Sequence, residues 1–235
     1  QEVADALKGV DIPVMVKTPI NPDLELWIGG LERLNKAGIT KLAAIHRGFS
    51  SYEKGPFRNS PMWDMAIELK TRIPEIDIVC DPSHIAGSRE LISFISQKAL
   101  DLDMAGLMIE SHINPDAAWS DAKQQVTPGV LSKIIDGLIV RTPSSDNKVF
   151  KDTLSVLREQ IDNLDDEIMQ KLASRMKISE KIGQYKKDNN VTILQVNRWE
   201  EIIQTRITLG KAMGLNEAFT ADLLKLIHNE SIQIQ

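Results

Sequence analysis

Arg175 and Lys186 stand 11 residues apart in a stretch whose apolar residues recur every three or four positions. On an α-helix that spacing is three turns plus about 20°, so both cations share one face, roughly 16 Å apart along the axis. Two long side chains leaning toward each other can clamp a small dianion. Arg158 lies 17 residues before Arg175, about 25 Å away and some 100° off that face. It cannot reach the same small pocket on a straight helix, but it can reach a pocket on an antiparallel partner, which implies a dimer with shared sites. The competing reading is three solvated charges, the usual state of Arg and Lys.

A second group has different chemistry. His84 follows IDIVCDPS, Glu110 ends AGLMIE, and Asp121 lies in AAWSDAKQQ. One imidazole and two carboxylates suit a divalent metal such as Mn, Fe or Zn. Lys17 ends IPVMV and Arg47 follows KLAAIH, giving two cations for a phosphate. The alternative is that His84 bonds locally while the two acids are surface charges. Cys80, inside IDIVC, reads as a buried core thiol rather than a ligand.

These residues need elements to hold them. IPVMV (12–16), KLAAI (41–45), IDIVC (76–80) and AGLMI (105–109) read as buried strands, because short apolar runs with few charges suit a parallel sheet covered on both faces. Helical spacing occupies 23–37, 60–72, 88–100 and 127–139, making four strand–helix units and an α/β class. In such sheets, sites gather at the carboxyl ends of the strands. From Lys148 onward there is no proline and no strand pattern. Leu154, Leu157, Ile161, Leu164, Ile168 and Leu172 form one apolar stripe of a helix over about 152–188, too long to be stable alone. Shorter helices are predicted near 195–212 and 217–235. The organisation is therefore α/β over 1–140, a linker RTPSSDNK at 141–148, and all-α over 149–235. The first residues, QEVADALKG, pattern as an amphipathic helix rather than a signal peptide.

Composition narrows the class. The chain has 235 residues, 42% of them hydrophobic, so a core of ordinary size is available and disorder is excluded. Residues 148–235 carry 13 basic and 13 acidic side chains, so the net charge of −5 resides in 1–147 and speaks against nucleic-acid binding. A single cysteine rules out a disulfide framework and a thiolate-rich zinc site, and fits a reducing cytoplasm. No apolar run is long enough to span a membrane.

The stretches LREQIDNLDDEIMQKLASRMKISEKIGQYK (157–186), NRWEEI (197–202), ITLGKAMGL (207–215) and HNESIQIQ (228–235) resemble the all-helical chorismate mutases. The resemblance implies an intertwined helical homodimer that converts chorismate to prephenate without a cofactor. It implies that Arg158 enters the neighbouring subunit's pocket, Arg175 holds a substrate carboxylate, and Lys186 and Gln235 contact the ether oxygen. Arg198 then lies beside the site, and Ser231 belongs to the pocket. Two positions depart from the family. Trp199 occupies the place of a carboxylate that binds the substrate hydroxyl, and Gln195 stands where an acid is common.

PVMVKTPINPDLELW (13–27), IHRGFSSYEKGPFRN (45–59), CDPSHIAGSRE (80–90) and MIESHINPDAAWSDAKQQ (108–125) resemble the C-terminal half of the type I 3-deoxy-D-arabino-heptulosonate 7-phosphate (DAHP) synthases, in the branch fused to a chorismate mutase. That family condenses phosphoenolpyruvate with erythrose 4-phosphate in a (β/α)₈ barrel. The resemblance makes His84, Glu110 and Asp121 metal ligands, with Lys17 and Arg47 binding phosphoenolpyruvate. A barrel needs eight strands, and the sequence supplies four. The family's cysteine ligand and its Lys-Pro-Arg-Thr and Gly-Ala-Arg segments belong to the other half. The expectation is a partial barrel from an N-terminally truncated bifunctional enzyme, without synthase activity of its own. A further alternative makes the helical part a regulatory dimerisation module that senses chorismate or prephenate.

Overall fold

The computed structural model describes residues 1–51, 55–193 and 196–235. The chain divides into two compact units, Gln1–Ser144 and Ser145–Gln235, with the division inside the Pro- and Ser-rich segment 141–148.

The first unit alternates helix and strand. Helix α1 (Glu2–Ala6) precedes β1 (Val14–Lys17), α2 (Leu24–Lys36), β2 (Leu42–His46), α3 (Trp63–Arg72), β3 (Asp77–Cys80), α4 (Pro82–Ala86), α5 (Ile92–Asp101), β4 (Gly106–Leu107) and α6 (Pro128–Gly137). The strands pair in parallel in the order β1-β2-β3-β4, with Lys17 opposite Ile45, His46 opposite Cys80, and Cys80 opposite Leu107. All carboxyl ends therefore lie along one rim. Local chemistry sets the helix starts. Asp23 accepts a bond from Leu26 N at 3.1 Å at the start of α2, and Thr127 caps α6 with Pro128 in its first turn. Helix α2 buries Trp27, Leu31 and Leu34, and Trp27 Nε1 donates to Val16 O at 3.0 Å, locking helix to sheet.

Three expectations are corrected. The strand expected at 105–109 shrinks to two residues, although Ala105 N and Met108 N still bond to Ile78 O and Cys80 O. Past it the pairing passes to one parallel bridge, Ser111 with Val126, instead of a longer ladder. Nor are all strands covered on both faces: Met15 is 51% exposed, and β1 alternates between half-buried and exposed. Strands β1 and β4 are both sheet edges, and an apolar groove of about 450 Å³ lies between Leu107, Ile109, Leu131 and Ile135 beside β4. The helix expected over 88–100 begins at Ile92, after a single 3₁₀ turn, Arg89–Leu91.

The second unit has three helices, α7 (Lys148–Asp188), α8 (Val196–Ala212) and α9 (Glu217–Ile234). Asn147 caps α7 and Asn216 caps α9 through their side-chain oxygens. Helix α9 packs on both α7 and α8, and small residues let it approach. A Cβ on Gly183 would come within 2.6 Å of the Gln235 backbone, and one on Gly210 within 2.9 Å of Thr220 Oγ1. The contact covers only the C-terminal part of α7, whose buried residues are Ser179 and Gly183. Leu157, Ile161, Leu164 and Ile168 are each at least half exposed. No helix of the described residues is long and apolar enough to cross a membrane.

His46, at the end of β2, is fully buried among the rings of Trp27, Phe49 and Trp63. Neither ring nitrogen has a hydrogen-bond partner. Burial pushes its pKa down to about 4; the Pro61 backbone, short of true bonding geometry, and the charge of Asp64 pull weakly the other way. The folded value lies below the ordinary 6.5, so the unfolded chain binds the extra proton first. Stability is complete above pH 6.5 and falls as pH drops toward 4, by up to about 3 kcal/mol from this group. Urea unfolding at pH 7 and pH 4.5 should show His46→Leu with a smaller pH dependence than wild type. Equal dependence in the two proteins would mean that another group drives acid lability.

Candidate active sites

The rim of the sheet gathers the first group. Asp81 ends β3 and caps α4, its Oδ1 accepting from His84 N at 3.0 Å. Its other oxygen lies 2.7 Å from His84 Nδ1, a close contact outside hydrogen-bonding geometry. Asp81 is 1% exposed, so one buried carboxylate fixes both the helix start and the imidazole. His84 Nε2 then faces Glu110 Oε1 at 3.8 Å. Glu110, just past β4, is held through its backbone: its N donates to Ser83 Oγ at 3.0 Å and its O accepts from Val126 N at 3.1 Å. Asp121 comes from the following loop, in a left-handed conformation at φ 50°.

The ligating atoms of His84, Glu110 and Asp121 all lie within 4.8 Å of one another, and all three residues are half-buried. Donors at about 2.1 Å from one ion stand at most about 4.2 Å apart, so the trio would close by a few tenths of an ångström around a metal. A ring of neighbours orients them. Arg58 donates to Asp121 Oδ1 at 2.5 Å and to Gln124 Oε1 at 2.6 Å, and Gln124 Nε2 donates to Glu110 Oε2 at 2.8 Å. The Arg58 guanidinium holds the Asp121 carboxyl below the usual range, with smaller help from His84 and Arg47. Asp121 is thus ionised and ready to ligate. Arg89 secures the same loop through Gln125 O and Ala122 O, both at 2.7 Å.

Arg47 follows β2, its backbone N bonded to Thr18 Oγ1 at 3.4 Å, and its charge reaches Asp121. Lys17 ends β1 at the same rim and is exposed. Cys80 is fully buried, and burial pushes its thiol well up, as a core residue requires. Spacing gave no pointer to Arg58 or Gln124. Asp81 was within reach, because Asp-Pro followed by a short helix is a capping pattern.

The second group assembles between α7 and α9. Arg175 donates to Ser231 Oγ, and Ser231, 3% exposed, returns its own proton to Ile227 O at 2.7 Å. Three turns further along α7, Lys186 Nζ lies 3.4 Å from Gln235 Oε1 and 2.5 Å from Ile193 O. Lys186 also lines an open apolar groove of about 540 Å³ with Ile178, Ile182 and Tyr185. The Arg175–Ser231 and Lys186–Gln235 pairs thus face α9 together. Arg158 does not join them, being exposed on the uncovered part of α7. Arg198 pairs instead with Glu201 on its own helix at 2.6 Å. Gln195 lies outside the described residues. Trp199 stacks on His228 of α9, with ring centroids 3.8 Å apart and planes 14° from parallel. The sequence reading singled out Trp199 and missed its partner.

The model of the DAHP synthetase I family matches residues 1–140. The chain belongs to that family. The model of the type II chorismate mutases matches residues 157–235. Among curated relatives, a phospho-2-dehydro-3-deoxyheptonate aldolase of Thermotoga maritima is 30% identical over 114 residues, which is 48% of this chain and 33% of that protein. A bifunctional chorismate mutase/prephenate dehydratase of Buchnera aphidicola is 35% identical over 83 residues, 35% of this chain and 22% of that protein. A solved truncated form of the Thermotoga maritima DAHP synthase aligns with a TM-score of 0.51 at 25% identity, covering 57% of this chain and 51% of that one. The chain therefore spans about a third of the DAHP synthetase relative it matches, and its four parallel strands are part of that fold.

Gly183 sets the Lys186–Gln235 spacing. Gly183→Ala gains up to ~1 kcal/mol of helix propensity, but it forces a Cβ against backbone, which costs about 1–3 kcal/mol. The net should be a lower melting temperature by circular dichroism. An unchanged or higher value would show that α9 yields at no cost.

Proposed function

We propose that residues 149–235 rearrange chorismate to prephenate, and that residues 1–140 hold the metal-binding rim of a DAHP synthase. The observation that carries the first part is the pairing of Arg175 with Ser231 and of Lys186 with Gln235 on one α7/α9 face. The rearrangement is unimolecular and needs no nucleophile or proton transfer. Arg175 grips a substrate carboxylate and fixes the reactive conformer, an orientation effect. Lys186 and Gln235 place donors where negative charge develops on the breaking ether oxygen. Ser231 keeps the guanidinium from collapsing onto solvent. No cofactor enters this half. A purely sensing module draws no support from the matches, which are to mutases.

The site is completed by a second copy. The exposed stripe Leu157, Ile161, Leu164 and Ile168 needs a cover, and another α7 running antiparallel supplies it while carrying Arg158 to the partner's pocket. Arg158→Ala and Arg175→Ala should each be nearly inactive, since a lost charge-paired contact costs on the order of 2–5 kcal/mol. Denatured together and refolded, they should recover roughly a quarter of wild-type chorismate consumption, because about half of random dimers are mixed and each has one intact site. If subunit exchange is confirmed by mass and activity does not rise, the shared-site dimer is wrong.

At the rim, His84, Glu110 and Asp121 would hold a divalent ion such as Mn, Fe or Zn, and the donor set fits. Bound there, it would supply Lewis acidity toward a substrate carbonyl. Arg47 and Lys17 bind the phosphate of phosphoenolpyruvate, and Arg58 keeps Asp121 ionised and aimed. Erythrose 4-phosphate is the second substrate of the complete enzyme. Titration of the full chain with Mn²⁺, followed by electron paramagnetic resonance, should show one site. Both His84→Ala and Glu110→Gln should weaken it at least ~10-fold, as loss of one ligand does. Unaltered binding in both variants would place the ion elsewhere.

A further inference from the structure

Trp199 stands where the resemblance to the mutases implies a carboxylate for the substrate hydroxyl, and it has a structure of its own. Trp199 is stacked face to face on His228. His228 lies three residues before Ser231 on α9, hence on the same face, and Ser231 is the residue that Arg175 holds. The Arg175 charge reaches the imidazole directly. Among the described residues, the ring nitrogens of His228 have no hydrogen-bond partner, while one ring face is occupied by the indole. The ring is half-buried and lies one helical turn from the serine that receives the Arg175 guanidinium.

We infer that His228, held in plane by Trp199, is the specificity-determining residue that hydrogen-bonds the ring hydroxyl of the substrate in place of the missing carboxylate. The inference rests on the mutase reading and assigns that site its hydroxyl contact. A stacked imidazole has little rotational freedom left, so its edge is aimed before substrate arrives. Burial and then the Arg175 charge lower its pKa, which keeps the ring neutral. A neutral imidazole has one donor and one acceptor nitrogen and can satisfy a hydroxyl from either side. It also avoids a second cation beside Arg175, which a protonated ring would introduce. A carboxylate at position 199 would do the same work by accepting alone; the Trp–His pair moves the polar group from α8 to α9 and uses the indole as its support.

The test compares chorismate with its analogue lacking the ring hydroxyl, using the full chain. Wild type should prefer chorismate by at least ~10-fold in kcat/KM, the discrimination expected when a site's polar group is left unpaired. His228→Phe keeps the stack and removes both nitrogens; it should lower kcat/KM for chorismate by at least ~10-fold, lower it less for the analogue, and bring the preference close to unity. His228→Gln keeps a donor and an acceptor and should retain part of the preference. Circular dichroism and dimer mass check that each variant is folded. A folded His228→Phe protein with wild-type preference would overturn the inference while leaving the mutase reading intact. A wild-type chain that consumes neither compound would overturn that reading, and this inference with it.

Discussion

A helix of 41 residues can bury only as much of its apolar stripe as something else covers. In α7 that cover is α9, and it reaches only the C-terminal part. There, Ser179 and Gly183 are buried, Arg175 meets Ser231, and Lys186 meets Gln235. Over the N-terminal part, leucines and isoleucines stay half exposed, at a cost on the order of a kcal/mol for each side chain left in water. Arg158 sits on that uncovered part, so the segment lacking a partner and the cation lacking a pocket are one stretch of chain. In the proposed dimer, one apolar stripe would set both the assembly and the completeness of the site.

The α/β unit is governed by register. Parallel strands in sequential order bring every carboxyl end to one rim, so His84, Glu110 and Asp121 converge although Asp121 lies 37 residues after His84. Proximity alone does not make ligands. Asp81 fixes the imidazole, Gln124 fixes Glu110, and Arg58 fixes Asp121 and Gln124 together. Gly87 belongs to the same network. At φ 66° it is in the left-handed region, and a Cβ there would meet Arg58 Cβ at 2.4 Å. The turn after α4 must therefore be glycine for Arg58 to stand where it does.

What was legible in the sequence follows from periodicity and chain order. The four strands, the long helix and its two followers occupy the expected stretches because apolar spacing survives in any environment. Lengths at edges were not legible: β4 is two residues long and gives way to the single Ser111–Val126 bridge, a fact about the sheet and not about AGLMI. The trio of possible ligands was legible because each acid or imidazole follows a strand. Arg58 and Gln124 were not, since the contact between them joins residues 66 apart through loops without periodic signal. His228 escaped for a related reason. A histidine in a helix carries no mark of what it stacks on, and its significance emerges only when α8 brings Trp199 over it.

The two sites solve opposite electrostatic problems with one device. At the rim, carboxylates must stay charged and close together, and a single guanidinium on Asp121 with the neutral Gln124 amide donating to Glu110 offsets their repulsion. Between α7 and α9, cations must stay unpaired by acids if they are to receive an anionic substrate. Their partners there are accordingly neutral: Ser231 for Arg175, Gln235 and a backbone carbonyl for Lys186. A carboxylate in either place would make a tighter pair and a poorer site, because the substrate would have to break it. Arg198 shows the contrast. It is paired with Glu201, so its charge is already spent within α8, and it can serve a substrate only by giving that partner up.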